Sequence, residues 1–165
     1  MRFTIEQRFD ADVDAVARAY ADPGLYATFV GMRKLSQPEV LRHDVSGDVV
    51  ELDVRYRFSG DLSPAVRAVI DPDRLSWVER SIHHLAQRRT EFTMLPDHYR
   101  DRFRCQGTYR FEDVGGSACA RHGDADLKVK ALLVAHAVES AIVSGLEEHL
   151  DDEVPIVEAF LHAPT

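Results

Sequence analysis

The residues with the clearest chemical potential lie in one predicted strand, at positions 74 to 84. Both faces of this strand mix apolar and ionisable side chains: Trp77, Glu79, Ser81 and His83 on one face, and Val78, Arg80, Ile82 and His84 on the other. Whichever face is buried, the strand points an ionisable group toward the protein interior. Because an unpaired buried charge is costly, that group needs a protein partner, water or a ligand.

Three roles are open for the inward group. It can form an internal hydrogen bond or lie at the mouth of a pocket, it can recognise the carboxylate or hydroxyl of a ligand, or it can take part in acid–base catalysis. The catalytic hypothesis pairs Glu79 or Arg80 with a histidine. The candidate partners are His149, on the inner face of the C-terminal helix, and His43, if its strand pairs near Val50.

Signatures of phosphate binding and of an activated serine are missing from the sequence. Gly115-Gly116 is typical of a hairpin turn, with no third glycine, lysine or following helix. Ser144-Gly145 lies within a predicted helix and lacks the Gly-x-Ser-x-Gly pattern of a nucleophile elbow. The sequence therefore indicates no catalytic constellation, and we expect no cofactor.

The eight histidines do not combine into a metal site. His136 and Glu139 are one helical turn apart, but a zinc site needs three or four ligands. His83 and His84 point to opposite faces of a strand and cannot chelate one ion together. We therefore expect no bound metal.

The composition is that of one folded, acidic domain covering residues 1–165. Hydrophobic residues make up 45% of the chain and charged residues 29%, with a formal net charge of −8. This negative charge disfavours nucleic acid and anionic membranes as partners. Four arginines form a stripe that we interpret as a solvated outer sheet face, partly neutralised by Asp124 and Asp126: Arg100, Arg102, Arg104 and Arg110.

The start of the chain carries charged residues where a secretory signal peptide needs an apolar run. The longest strongly apolar stretch, residues 131–138, contains His136 and is far too short to span a bilayer. We expect a cytoplasmic protein without integral membrane association. Cys105 and Cys119 are expected to be unpaired thiols.

The period of the hydrophobic pattern predicts the order of the elements. Residues 3–9 alternate as a half-buried strand, and two short helices follow, the first ended by Pro23-Gly24. Further strands are predicted at about 39–45, 50–58, 74–84, 87–95, 100–113 and 118–130, with an irregular connection at 59–73. Residues 132–162 have helical spacing, and Pro155 is expected to kink or split that helix.

The register of the hairpins follows from the turn lengths that keep apolar residues on one face. A three-residue loop at 115–117 pairs Phe103 with Val129, Cys105 with Leu127, Gly107 with Ala125, and Cys119 with Asp113. Because the two cysteines are then about 26 Å apart along the strands, a disulfide cannot join them. A four-residue loop at 96–99 sets Phe92 opposite Phe103.

The economical arrangement of these elements is an α+β fold. A curved antiparallel sheet of seven strands wraps around the long C-terminal helix, and the outer face of the sheet lies in water. The two short helices lie between the first and second strands. The polar residues that alternate along each strand fit this solvated outer face.

The opening of the chain supports the same architecture. The segment Phe9-Asp10-Ala11-Asp12-Val13-Asp14-Ala15-Val16, followed by Asp22-Pro23, combines a strand end, a helix cap and an apolar helix face. With the strand-rich middle and the terminal helix, it resembles the START-like superfamily, also called SRPBCC or helix-grip, over almost the whole chain. In detail the chain is most similar to a branch known only as a domain of unknown function. The resemblance implies a hydrophobic cavity between sheet and helix, without implying a reaction.

We therefore expect a protein that binds a small apolar molecule or a lipid in this cavity. One alternative is an enzyme of the polyketide cyclase or aromatase kind that uses ionisable groups in the cavity. Another is a protein-interaction module with a closed pocket, and the oligomeric state is open. The predicted cavity wall consists of Leu52, Val54, Tyr56, Trp77, Glu79, Phe92, Met94, Phe103, Cys105 and Tyr109 from the sheet, and Val138, Ile142, Leu146 and His149 from the helix.

Overall fold

A single antiparallel sheet is the frame of the computed structural model, which describes residues 1–68, 70–130 and 135–163. Its strands are β1 (Arg2–Phe9), β2 (Glu39–Ser46), β3 (Val49–Arg57), β4 (Ser76–His84), β5 (Arg89–Pro96), β6 (Phe103–Gly115) and β7 (Ala118–Val129). They form one seven-stranded sheet in the order β1-β7-β6-β5-β4-β3-β2. The predicted α+β fold is confirmed.

The described residues form four α-helices: α1 (Val13–Tyr20), α2 (Pro23–Ala27), α3 (Pro64–Arg67) and α4 (Ala135–His162). Side-chain caps start α1 and α2, because Asp12 and Asp22 accept hydrogen bonds from the first free backbone amides of these helices. Of the two effects expected at Pro155, a kink or a split, the split does not occur, since α4 runs through this residue as one helix. The predicted start of that helix at 132 lies outside the described residues.

The connection between β3 and β4 is more regular than the sequence suggested. It contains α3 and a 3₁₀ helix at Pro72–Arg74, where we expected only irregular structure. Ser63 and Asp71 cap these two turns, and each turn begins with a proline. Proline at the first helical position is favourable because it lacks an amide hydrogen that would have no partner.

Strand register confirms one predicted hairpin and corrects another. Phe103 lies opposite Val129, and Cys119 lies opposite Asp113, as predicted. The turn itself has only two residues, and a bulge next to Asp113 supplies the extra position. Phe92 lies opposite Gly107 rather than Phe103, because the connection from β5 to β6 spans residues 97–102. The shift is an even number of residues, so Phe92 keeps its predicted inward face.

The inner face of the sheet and the helices enclose the core. α4 packs against β1 and β7, and α1 packs against α4, β6 and β7. The most deeply buried large side chains include Phe9 at the end of β1, and Leu25 and Phe29 around α2. Both cysteines are buried free thiols.

The predicted arginine stripe is only partly a sheet face. Arg104 and Arg110 are exposed residues of β6, but Arg100 and Arg102 lie in the turn before it. Asp124 pairs with Arg2 of β1, at 2.9 Å between Oδ2 and Nη2. Arg2 holds the pKa of Asp124 below its usual value, and the positive charge of Arg110 contributes to this shift.

Gly107 of β6 lies so close to β7 that there is no room for a side chain. An added Cβ would lie 2.4 Å from the carbonyl oxygen of Asp124 and 2.8 Å from the Cβ of Ala125. Gly107→Ala is therefore expected to lower the free energy of unfolding by about 1–3 kcal/mol, the usual cost of overpacking. Urea denaturation of this variant and of the control Gln106→Ala, an exposed neighbour, measures the difference. Equal stability of the two variants would contradict the close approach.

Candidate functional site: a cavity between the sheet and helix α4

A cavity of about 930 Å³ separates the inner face of the sheet from α4. Strands β3 to β7 supply one wall, and one face of α4 supplies the other. The connection that contains α3 and the turn between β5 and β6 also contribute lining residues. Most of the lining residues are apolar or aromatic.

Eleven of the fourteen residues predicted for the cavity wall line this space. They are Tyr56, Trp77, Glu79, Met94, Phe103, Cys105, Tyr109, Val138, Ile142, Leu146 and His149. The remaining three, Leu52, Val54 and Phe92, point inward but are buried in the core instead of facing the cavity. Strand alternation determines that these three side chains point inward. Whether they reach the cavity depends on how α1, α2 and α4 cover the sheet.

Strand β4 buries the face that carries Trp77. Trp77 and Glu79 line the cavity, and Ser81 and His83 are buried farther along the strand. The opposite face carries Arg80, whose guanidinium binds the Asp53 carboxylate with two contacts of 3.1 Å. Glu79 is thus the inward ionisable group that the sequence left undecided.

The two histidines considered as partners for this group are placed differently. His149 is buried on the inner face of α4 and lines the cavity. His43 lies opposite Leu52 on the edge strand β2, but its side chain is exposed. His43 therefore takes no part in the site.

Glu79 presents an unpaired carboxyl group to the cavity. Protein surrounds the side chain, and the surface it retains opens to the cavity. Burial raises the pKa of Glu79 to about 7, with a partial opposing effect from the positive charge of Arg121. Within the described residues, no donor forms a hydrogen bond with this carboxyl group. Near neutral pH it is therefore poised between a hydrogen-bond donor and a charged acceptor.

Arg121 of β7 is the main functional residue that sequence reasoning missed. Its guanidinium lies between two aromatic rings, 3.8 Å from the ring centroid of Tyr20 and 3.6 Å from that of Tyr109. Nη1 donates to Gln7 Oε1 at 2.7 Å. The available signal was strand parity, because Arg121 shares its face with Cys119, Ala125 and Leu127.

Glu153 of α4 completes a buried ion pair with this arginine. Its Oε2 lies 3.3 Å from Arg121 Nη1 and accepts a 2.8 Å hydrogen bond from the Tyr20 hydroxyl. Burial alone would raise the pKa of Glu153, but His149 and Arg121 together hold it below its usual value. Glu153 is one helical turn after His149, a spacing that would have placed both on one face.

His149 is oriented by Glu153. Its Nε2 lies 3.0 Å from Glu153 Oε1, while Nδ1 is buried without a hydrogen-bond partner among the described residues. A proton on Nδ1 would be a donor without an acceptor, so we assign the proton to Nε2, which donates to the carboxylate. The rings of Tyr56 and Phe29 pack edge-on against the imidazole.

Not every buried histidine belongs to the site. His83 Nε2 lies 2.9 Å from Ser81 Oγ, and Nδ1 lies 3.0 Å from Thr90 Oγ1. Burial lowers the pKa of His83 to about 3, so the ring is neutral and satisfied by its two hydroxyl partners. Its role is structural.

Two tyrosine hydroxyls accompany Glu79 on the cavity wall. Tyr56 and Tyr109 line the cavity, and neither hydroxyl is hydrogen-bonded to another described residue. Burial raises the pKa of both, so they remain neutral donors. The cavity therefore offers a ligand one carboxyl group and two hydroxyls that bond to no other side chain or backbone group in the described part of the chain.

The described residues give little basis for a metal. No group of three His, Cys, Asp or Glu side chains among them is close enough to hold an ion. Likewise, no helix within residues 1–68, 70–130 and 135–163 is long and apolar enough to cross a membrane.

Comparison of the sequence with known families gives one assignment. Residues 4–161 match the family described as "Protein of unknown function (DUF2505)". The chain belongs to this family. No curated protein matches the sequence. The family description names no activity, so the site has to be interpreted from its geometry.

Solved structures of the same fold are numerous, at low sequence identity. The Zhui aromatase/cyclase of Streptomyces sp. R1128 is 13% identical, with a TM-score of 0.67 over 99% of this chain and 96% of that one. Norcoclaurine synthase of Thalictrum flavum, in complex with dopamine and hydroxybenzaldehyde, is 21% identical, with a TM-score of 0.65 over 100% and 89%. A protein of Thermus thermophilus is 14% identical, with a TM-score of 0.65 over 98% and 97%. These structures confirm the predicted helix-grip fold, and the family match confirms the predicted similarity to a branch of unknown function.

Glu79 makes a prediction about stability and pH. The raised pKa means that the folded protein holds a proton that the unfolded chain releases between pH 4.5 and 7. The native state therefore loses about 3 kcal/mol of stability as the pH rises through this window. Glu79→Gln removes the effect, so the variant should match the native protein at pH 4.5 and exceed its stability at pH 8. Urea denaturation at both pH values measures this.

Proposed function

We propose that the protein binds a small, mainly apolar molecule in the cavity, with a polar group of that ligand at Glu79. The observation that carries the proposal is a cavity of about 930 Å³ whose wall holds a carboxyl group with no hydrogen-bond partner among the described residues. Ligand pockets commonly have volumes of about 300–1,000 Å³, with apolar walls and a few convergent polar groups. The cavity has these features.

The apolar wall supports a ligand with an aromatic or acyl body. Trp77 stacks on Tyr56 with 5.7 Å between ring centroids, and Val138 and Ile142 of α4 face the cavity as well. A cavity of this size lacks the packing contacts that larger side chains would supply. A ligand that fills it restores those contacts, and a lipid chain would do so as well as a ring system.

The unpaired polar groups support a ligand that also carries a polar end. Glu79 and the hydroxyls of Tyr56 and Tyr109 face the cavity and lack protein partners among the described residues. A hydrocarbon ligand would bury these groups without bonding to them, at a cost of about 1–3 kcal/mol each, whereas a ligand with a polar end would bond to them. The same groups would discriminate against a purely hydrocarbon ligand of equal size.

Proteins with the same fold give independent support. One structural neighbour is named an aromatase/cyclase, and another is a synthase solved in complex with dopamine and hydroxybenzaldehyde. We further propose that the chain acts in the cytoplasm as one domain without nucleic-acid partners, which its acidic charge of −8 supports.

Gly145 of α4 allows the cavity to be filled from the helix side. It lines the cavity, and an added Cβ would have no atom within 4 Å. Gly145→Phe is expected to abolish binding of the neutral fluorophore N-phenyl-1-naphthylamine, because the ring occupies the ligand space. Gly145→Ala is the matched control and should bind normally while stabilising the helix by about 0.5–1 kcal/mol. Fluorescence titration and thermal unfolding measure both effects.

Two results would count against ligand binding or against its proposed location in the cavity. If neither the fluorophore nor a panel of fatty acids, sterols and aromatic polyketides binds the native protein or raises its melting temperature, the binding proposal is wrong. Equal binding by the native protein and Gly145→Phe would place the ligand elsewhere.

A second candidate function is proton transfer catalysed by Glu79, as in a cyclase or aromatase. Its carboxyl group lies deep in the cavity and has a pKa of about 7, which suits a general base at neutral pH. A 1,3-diketone such as 1-phenyl-1,3-butanedione tests this directly. The native protein should accelerate exchange of its acidic C–H for deuterium, with a rate that rises as pH passes 7, and Glu79→Gln should not. The exchange is followed by NMR.

The third hypothesis, an interaction module with a closed pocket, has less support. It requires a packed interior together with an apolar patch on the surface. The cavity is inconsistent with a packed interior. The large exposed apolar residues of the described segments are spread over several elements: Val30, Leu41, Val45, Leu95 and Val114.

A further inference from the structure

The charged side chains around Glu79 differ in whether they have a partner of opposite charge. Arg121 and Glu153 are in contact at 3.3 Å and compensate each other. Glu79 shares this region but has no cation in hydrogen-bond contact among the described residues. Once Glu79 is ionised, its carboxylate has no counter-ion in hydrogen-bond contact among the described residues, and Arg121 acts on it only from a distance.

Arg121 is not free to serve as that counter-ion. Its guanidinium is held between the rings of Tyr20 and Tyr109, and Nη1 is engaged by Gln7 and Glu153. A move toward Glu79 would break these contacts and leave Glu153 unpaired in the interior. Breaking a buried pair in this way is strongly unfavourable.

The wall beside Glu79 is aromatic. Trp77 precedes Glu79 by two residues on the same face of β4, and Tyr56 stacks on Trp77 from β3. Aromatic faces attract cations, and the attraction is greatest where water is excluded. The cavity already contains an example, because Arg121 is sandwiched between two tyrosine rings.

From the unmatched carboxylate and its aromatic surroundings we infer that the cavity selects cationic amines, with the ammonium group on Glu79 and the apolar body against the Tyr56–Trp77 stack. The inference rests on the proposed binding function and names its ligand class. An ammonium group supplies both the missing charge and the missing hydrogen-bond donors. A neutral alcohol supplies only the hydrogen bond, and an anion would be repelled by the ionised carboxylate of Glu79.

Several groups face Glu79 and set the pH range of this selection. They come from every element around it: Tyr26 of α2, Tyr56 of β3, Cys105 and Tyr109 of β6, Arg121 of β7, and His149 and Glu153 of α4. In the unliganded protein the balance leaves Glu79 half protonated near pH 7. An ammonium ion binds the ionised form, so binding releases a proton. Affinity should rise about tenfold per pH unit below pH 7 and level off above it.

Three matched naphthyl compounds test the inference: 2-(1-naphthyl)ethylamine, 2-(1-naphthyl)ethanol and 1-naphthaleneacetate. At pH 8 the native protein should bind the amine at least about tenfold more tightly than the alcohol, as expected for a desolvated charge pair. The anion should bind most weakly. Isothermal titration calorimetry in buffers of different ionisation enthalpy measures affinity and proton release together.

Two variants assign the effect to Glu79. Glu79→Gln should lose the preference for the amine and its pH dependence while still binding the alcohol. Glu91→Gln removes a carboxylate that pairs with Arg89 on the same strand and does not line the cavity, so it should behave as the native protein does.

The outcomes separate this inference from the binding proposal. If the native protein binds the alcohol as tightly as the amine, or Glu79→Gln keeps the preference, the amine inference is wrong and the binding proposal stands. A preference for the alcohol that grows below pH 7 would overturn the inference too, because protonated Glu79 would then donate to a neutral ligand instead. If none of the compounds binds and Gly145→Phe changes nothing, both are wrong.

Discussion

The ion pair between Arg121 and Glu153 is the interaction on which the site depends. It joins β7 to α4 inside the protein, with Gln7 of β1 and the Tyr20 hydroxyl of α1 bonded to the same two side chains. Burying two charges is costly, and the cost is offset only when their remaining hydrogen-bonding groups are satisfied and their geometry is fixed. The network therefore holds α4 at one position on the sheet, and that position leaves the cavity open beside it.

Glu79 acquires its chemistry from the same network. Because Arg121 is already committed to Glu153, it lowers the pKa of Glu79 only partly, and burial prevails. A buried carboxyl group with a raised pKa reduces the stability of the folded protein at neutral pH. Such groups are typical of binding and catalytic sites, where a ligand supplies the missing hydrogen-bond or charge partner.

Much of the frame could be predicted from alternation and turn chemistry. The sheet, the inward side of Phe103 and Cys105, and the pairing of β6 with β7 all follow from the rule that a one-residue slip inverts every side chain. The same rule could not fix the turn before β6, because shifts by an even number of residues keep the faces and move only the partner. Phe92 therefore kept its predicted side but faces Gly107.

The sequence by itself determined the strand faces, the helix caps at Asp12 and Asp22, and a C-terminal helix with His149 on its inner side, since these depend on neighbours along the chain. Only the tertiary structure decided which face of β4 is buried and that Arg121 meets Glu153, which is 32 residues away in the chain. Both faces of β4 carry ionisable groups, so local hydrophobicity could not choose between them. The choice came from long-range packing against α4, whose free energy no single segment contains.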